Sequence, residues 1–218
     1  MNLYNLKRIL LGFVYPNRCP FCGEIIRANE FYCQGGKFAP SCSELDYYRN
    51  IRNSDTYCCA YNDKSKPLIA KAKENADGYA ISAVARLLYA ALLKNNILHN
   101  IDVIIPIPPR KKSMKKRGYS FPALLAKEIA ELAELKYSGK TLKLLRETGE
   151  QKELSAAERR ENLKGAFGIW RKKPYGKNVL VIDDVSTTGA TLDEAKRVLS
   201  EYAENVYAAA FAKTVYDE

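Results

Sequence analysis

With 218 residues, 47% of them apolar, the chain can bury one substantial core plus a small appended module, so one main domain is expected. Lysine and arginine outnumber aspartate and glutamate 35 to 25, and the net charge of +10 points to anionic partners such as phosphorylated metabolites or nucleic acid. No stretch holds the ~20 consecutive apolar residues of a membrane span, and the run Ile9–Val14, broken by Gly12, is shorter than a secretory core, so a cytoplasmic location is expected.

Residues 1–60 hold all six cysteines and little periodicity, which predicts a small module stapled by something other than a core, with residues 61–218 forming the main domain. In a cytosolic chain that cysteine content favours metal or free thiols over disulfides. Cys19 and Cys22 form the knuckle C-P-F-C-G, whose tight turn sets two thiolates on one tetrahedral zinc ion. Cys33 and Cys42 are the expected completing pair. Cys58 is a fallback ligand, although Cys58 and Cys59 read more simply as buried thiols before an apparent strand, Ala60–Asn62.

From Asp77 to Asn96, Ile81, Val84, Leu87, Leu88 and Leu92 recur at helical spacing and predict an amphipathic helix. His99 then sits in a short polar stretch, where a solvated loop histidine is the simpler reading. Ile101–Pro109 reads as a buried strand closed by prolines. The basic run Arg110–Arg117, six charges in eight residues, reads as a solvated loop or an anion-binding strip. A second helix is expected over roughly Phe121–Lys136. Two further strands, Asn178–Asp184 and Asn205–Ala212, flank a third helix over Leu192–Glu204. Strands alternating with helices predict a parallel sheet covered on both faces.

The segment Val179–Thr191, VLVIDDVSTTGAT, carries the most chemistry. A strand ends on Asp183 and Asp184, and Thr191 with Glu194 forms a T-x-x-E pattern that predicts Thr191 as a helix N-cap. The turn between them therefore lies at a strand's carboxyl end and a helix's amino end, where α/β sheets bind ligands and where phosphate is favoured. Gly189 permits close backbone approach, Thr187, Thr188 and Thr191 add hydroxyl donors, and Ser186 and Ala190 complete the cradle. Two acids beside a phosphate would repel it unless they face sugar hydroxyls or a divalent cation. A phosphate next to a diol is a ribose 5-phosphate.

This segment resembles the phosphoribosyl-pyrophosphate fingerprint of the type I phosphoribosyltransferases. Together with Ile105–Tyr119 (IPIPPRKKSMKKRGY) and Leu144–Phe167 (LLRETGEQKELSAAERRENLKGAF), it resembles the ComF family of competence-associated, phosphoribosyltransferase-like proteins over nearly the whole chain. The resemblance implies a type I phosphoribosyltransferase-like, mostly parallel α/β sheet with flanking helices, plus a small N-terminal zinc-ribbon-like module. It implies Asp183 and Asp184 as the catalytic pair, with magnesium bound alongside phosphoribosyl pyrophosphate. Pro109, Arg110 and Lys111 fall in the pyrophosphate loop, and residues 146–167 in a mobile region over the site.

The chain departs from the family pattern twice. Arg117–Phe121 reads R-G-Y-S-F where the family usually has R-G-F-N-Q, and Gly36 stands where a second C-x-x-C would place a cysteine, so Cys42 would have to substitute. The expected function is magnesium-dependent phosphoribosyl transfer, a pentosyl-group glycosyltransferase, or phosphoribosyl-ligand binding tied to DNA uptake. The alternative is a non-catalytic nucleotide-binding scaffold whose zinc module and basic surface hold single-stranded DNA or a DNA-processing partner.

Overall fold

The computed structural model describes residues 55–63, 65–74, 77–147, 156–171 and 176–214, together with 16, 18, 19, 23–27, 30 and 33 of the N-terminal part. Its strands are β1 (Asp55–Ala60), β2 (Val103–Pro106), β3 (Lys136–Tyr137), β4 (Leu142–Leu144), β5 (Phe167–Ile169), β6 (Asn178–Ser186) and β7 (Asn205–Lys213). The helices are α1 (Lys66–Glu74), α2 (Gly78–Lys94), α3 (Lys111–Arg117), α4 (Phe121–Ala133), α5 (Ala156–Leu163) and α6 (Ala190–Leu199), with a 3-10 turn at Leu98–Asn100. Five strands form a sheet in the order β1-β7-β6-β2-β3, and every pairing in it is parallel. β4 and β5 make a separate antiparallel pair. Among the described residues no helix is long and apolar enough to cross a membrane.

The continuous apolar runs have a geometric cause. Along β6, alternation sends Leu180 and Ile182 into a core shared with α1, α2 and α4, while Val179 and Val181 enter a second core beneath α6. Both faces are dry, so the strand cannot afford a polar side. Helix ends follow local chemistry. The Asp77 carboxylate accepts from the N–H groups of Tyr79 and Ala80, and Ser120 caps α4 by accepting from Ala123 N at 3.3 Å. Serine and asparagine are comparable caps, so the departure at position 120 keeps that role.

Four expectations are corrected. β1 spans Asp55–Ala60 and pairs along β7, so the sheet domain begins before residue 61, and Cys58 and Cys59 lie inside that strand, at 0% and 1% exposure. Those thiols belong to the core. The basic run is not a loop: Lys111–Arg117 is a short helix with no buried residue, closed by Gly118 at φ 78°. Thr191 is not the cap of α6, which starts one residue earlier behind Gly189, while Glu194 accepts from Gly165 N at 2.7 Å and pairs with Arg197. Finally, the second and third helices are shorter than expected, ending at Ala133 and Leu199, and Lys136 belongs to β3.

Candidate functional site

Parallel pairing brings the carboxyl ends of β2 and β6 side by side: Pro106 is level with Ile182, and Ile107 N donates to Ile182 O at 2.9 Å. The chain leaving β2 therefore turns at Pro108 next to the two acids near the carboxyl end of β6, which runs on to Ser186. Above this edge lies an open cleft of about 660 Å³, bordered by Pro108, Pro109, Arg110, both acids and the whole Ser186–Thr191 turn. The predicted site residues thus meet in one place, with one exception. Lys111 lies along an adjacent cavity of about 370 Å³, and its backbone N–H donates to Glu147 Oε1 at 3.0 Å.

Asp183 and Asp184 are 8% and 7% exposed. Strand alternation turns Asp184 to the face of Leu180 and Ile182, where α1 packs, and Asp183 to the opposite face. Asp183 Oδ1 accepts from Asp184 N at 2.8 Å, and Asp184 Oδ1 accepts from Val185 N at 2.7 Å. Burial, reinforced by the neighbouring Asp184 charge, pushes the Asp183 carboxyl up to about 7, against the pull of the Asp184 N–H and Lys73. Asp184 has a direct counter-ion: Lys73 Nζ, from the last turn of α1, sits 2.5 Å from its Oδ2.

The turn after β6 is shaped for an anion. Gly189 holds φ 86°, a left-handed conformation that a side chain would strain, at the position preceding α6. The first-turn N–H groups of that helix lack intrahelical acceptors, and its dipole adds positive potential. Thr188 Oγ1 accepts from Ala190 N at 3.4 Å. From the sheet side the turn is underpinned by buried polar groups. Lys213 Nζ, at the end of β7, donates to Ser186 Oγ at 3.5 Å and lies 5.3 Å from the Tyr57 ring centre. The Tyr57 hydroxyl donates to Asp55, whose other oxygen binds Lys196 at 2.6 Å. Burial raises the Tyr57 and Asp55 pKa values and lowers that of Lys213.

Sequence reasoning missed several residues at this cleft, chiefly Lys66 and Lys73 of α1, whereas Arg117, read only as part of the basic run, borders it too. Nothing in the run KPLIAKAKE distinguishes Lys73 from Lys71 until the helix is packed. His99 is exposed in the 3-10 turn and does not border the cleft.

Of the four predicted zinc ligands, Cys22 and Cys42 lie outside the described residues. Cys19 and Cys33 are both buried and adjacent, with Cys33 N donating to Cys19 Sγ at 3.4 Å. Nearby, Gly23 N donates to Cys19 O at 2.8 Å, Cys19 N donates to Glu24 O at 2.7 Å, and Gly23 adopts φ 79°. Thiolate accepting a backbone N–H is the usual outer-sphere support of a cysteine metal ligand.

No protein-family model matches the chain. Over 207 residues it is 33% identical to Competence protein F of Haemophilus influenzae, covering 84% of this chain and 90% of the relative. It is 31% identical over 202 residues to DNA utilization protein YhgH of Salmonella typhimurium, covering 89% and 88%. Competence protein ComFC of Bacillus subtilis is 26% identical over 189 residues, covering 84% and 71%.

Proposed function

The chain belongs to the ComF family of competence-associated proteins, and we propose that its cleft binds phosphoribosyl pyrophosphate with magnesium, in a phosphoribosyltransferase-type protein connected with DNA uptake. One observation carries this reading. Two acids, an anion-shaped turn at a helix amino end and a proline-stiffened turn ending in Arg110 border the same 660 Å³ cleft. Together those three features suit a sugar diol flanked by a phosphate on one side and a diphosphate on the other. The relatives' names, Competence protein F and DNA utilization protein YhgH, support the link to DNA uptake.

In this reading the Ser186–Thr191 turn holds the 5-phosphate, and Asp183 and Asp184 accept from the ribose hydroxyls. The pair offers hard oxygen donors, which suit magnesium. Pro109 and Arg110 hold the diphosphate, with Lys111 at the margin. A nitrogen nucleophile attacks the anomeric carbon as the bond to the diphosphate oxygen breaks, and the bonding electrons leave with the diphosphate. Positive charge develops on the ring, so holding both ends and receiving the departing charge is most of the work. Bound magnesium supplies neutralisation of that charge.

The test is calorimetric titration with phosphoribosyl pyrophosphate, with and without magnesium. Magnesium-dependent binding is expected. The double variant Asp183→Asn with Asp184→Asn should weaken it by several kcal/mol, since each carboxylate forfeits a charge-assisted bond worth ~1.5–3 kcal/mol. Unchanged affinity in a folded double variant removes the acids from the site.

A second reading, single-stranded DNA or a DNA-processing partner on the basic surface, is favoured by the placement of α3. Arg110 and Arg117 border the cleft, whereas Lys112, Lys115 and Lys116 are exposed and do not. Those three cations exceed what one diphosphate uses, and a nucleic-acid backbone would engage them. For the N-terminal part we propose one structural zinc ion held by Cys19, Cys22, Cys33 and Cys42. The buried Cys19–Cys33 pair and the backbone hydrogen bonds of Cys19 with Gly23 and Glu24 support it.

A further inference from the structure

Helix α1 is short, and its placement is determined by three buried residues, Leu68, Ile69 and Ala72. Ile69 and Ala70 also border the cleft, and Lys73, four residues after Ile69 and on the same face, reaches it as well. The end of the helix is then clasped. Tyr119 Oη lies 3.0 Å from Ala72 O and 2.9 Å from Lys73 O, and donates to this pair of terminal carbonyls. Glu74 pairs with Lys116 at 2.8 Å and approaches Arg117 at 3.7 Å. Phenylalanine at position 119 could not make the first of these clasps.

The clasp aims a side chain that is 29% exposed at an acid that is 10% exposed. An ammonium held there costs side-chain entropy. The Lys196–Asp55 pair, a counter-ion contact with side chains 16% and 7% exposed, does not border the cleft. Lys73 instead borders the open cleft, beside the turn of Pro108–Arg110. Lysine is a compact charge on a flexible stem, suited to exchanging one anionic partner for another.

We propose that Lys73 is a ligand-contacting residue of this cleft: it neutralises Asp184 in the empty protein and, when a divalent cation or the sugar hydroxyls take that carboxylate, transfers its ammonium to the diphosphate. The proposal rests on the phosphoribosyl-pyrophosphate reading given above. It assigns Lys73 two consequences. Free divalent cations bind poorly because they must displace an ammonium already in place, and the diphosphate gains a contact that a ligand without one does not use.

The experiment compares wild type, Lys73→Met, Lys73→Arg and, as a control for the loss of one charge on the same helix, Lys71→Met. Titration with phosphoribosyl pyrophosphate at saturating magnesium should show about tenfold or greater weakening in Lys73→Met, the scale of one lost charge-assisted bond. Lys73→Arg should recover part of the loss, and Lys71→Met should match wild type. Ribose 5-phosphate, which lacks the diphosphate but whose hydroxyls take the same carboxylate, should bind Lys73→Met at least as tightly as it binds wild type, and that result also certifies the fold. Manganese titration without ligand, read by electron paramagnetic resonance, should show tighter binding to Lys73→Met than to wild type. Equal weakening of both sugar phosphates, or undiminished binding of the diphosphate ligand, overturns the proposal. Manganese affinity unchanged by Lys73→Met overturns the counter-ion half. If wild type itself ignores phosphoribosyl pyrophosphate with magnesium, the parent reading fails and the diphosphate contact fails with it, while the manganese comparison still reports on the Lys73–Asp184 pair.

Discussion

Replacing Asp183 by asparagine should stabilise the ligand-free protein, and by an amount that depends on pH. In the fold this carboxyl is pushed from 3.8 up to about 7 by burial and by Asp184. An acid whose folded value lies above its unfolded value gives stability that is complete below the unfolded value and is lost as pH rises through the folded one. Wild type therefore loses stability between about pH 4 and 7 on this account, and asparagine, with no proton to lose, does not. Between pH 5 and pH 8 the variant's advantage over wild type should grow by about 2–3 kcal/mol, two pH units of slope at ~1.4 kcal/mol each. Asparagine's Oδ1 can still accept from Asp184 N, so geometry is kept. Urea unfolding at pH 5, 6, 7 and 8, followed by circular dichroism, gives the difference directly. A variant-minus-wild-type difference that stays flat over this range, or that shrinks as pH rises, would refute the reasoning. The same substitution should weaken the phosphoribosyl ligand, so stability and binding would move in opposite directions.

Two further outcomes are expected. The purified protein should carry about one zinc ion, as a closed four-thiolate site implies, and Cys19→Ser should lose it; elemental analysis finding no zinc in protein prepared without chelator would count against the module. Single-stranded DNA should bind with an affinity that falls with salt at a log–log slope of ~0.7 per neutralised phosphate, and changing Lys112, Lys115 and Lys116 to alanine should flatten that slope by ~2 units. Fluorescence anisotropy titrations giving identical slopes for the two proteins would remove the nucleic-acid reading of α3.

The parts of the fold legible in the sequence are those whose two faces are both buried. Val179–Ile182 and Ala208–Ala212 read as strands because neither side could carry a polar residue. Gly189 was legible because the turn before α6 needs a left-handed residue, and the acids because two adjacent carboxylates beside an apolar run have no packing role. What escaped reading was set by partners distant in sequence. Asp55–Ala60 is an edge strand that acquires its identity only from pairing with β7, and its two cysteines drew it toward the metal module. The helix Lys111–Arg117 buries nothing, so it leaves no apolar period to detect. Glu194 made a plausible capping box with Thr191, but its carboxylate is taken by Gly165, 29 positions earlier in the chain. Lys73 could be recognised only once Leu68, Ile69 and Ala72 had fixed the rotation of α1.

The clasp at the end of α1 also ties together two surfaces that would otherwise act independently. On one side the exposed ammonium of Lys116 is open to a polyanion arriving from solvent, and on the other Lys116 and Arg117 hold Glu74. A polyanion that competes with Glu74 for them loosens the seat of Lys73, and with it the charge state of the acid pair in the cleft. Linkage then runs both ways: whatever factor an occupant of the basic strip imposes on affinity in the cleft, an occupant of the cleft imposes on the strip. Since Lys116 is 73% exposed and Glu74 44%, the pair transmits no more than an exposed ion pair is worth, ~1 kcal/mol or about fivefold. A coupling of that size would act as a bias between the two occupants, weak enough for both to be present at once.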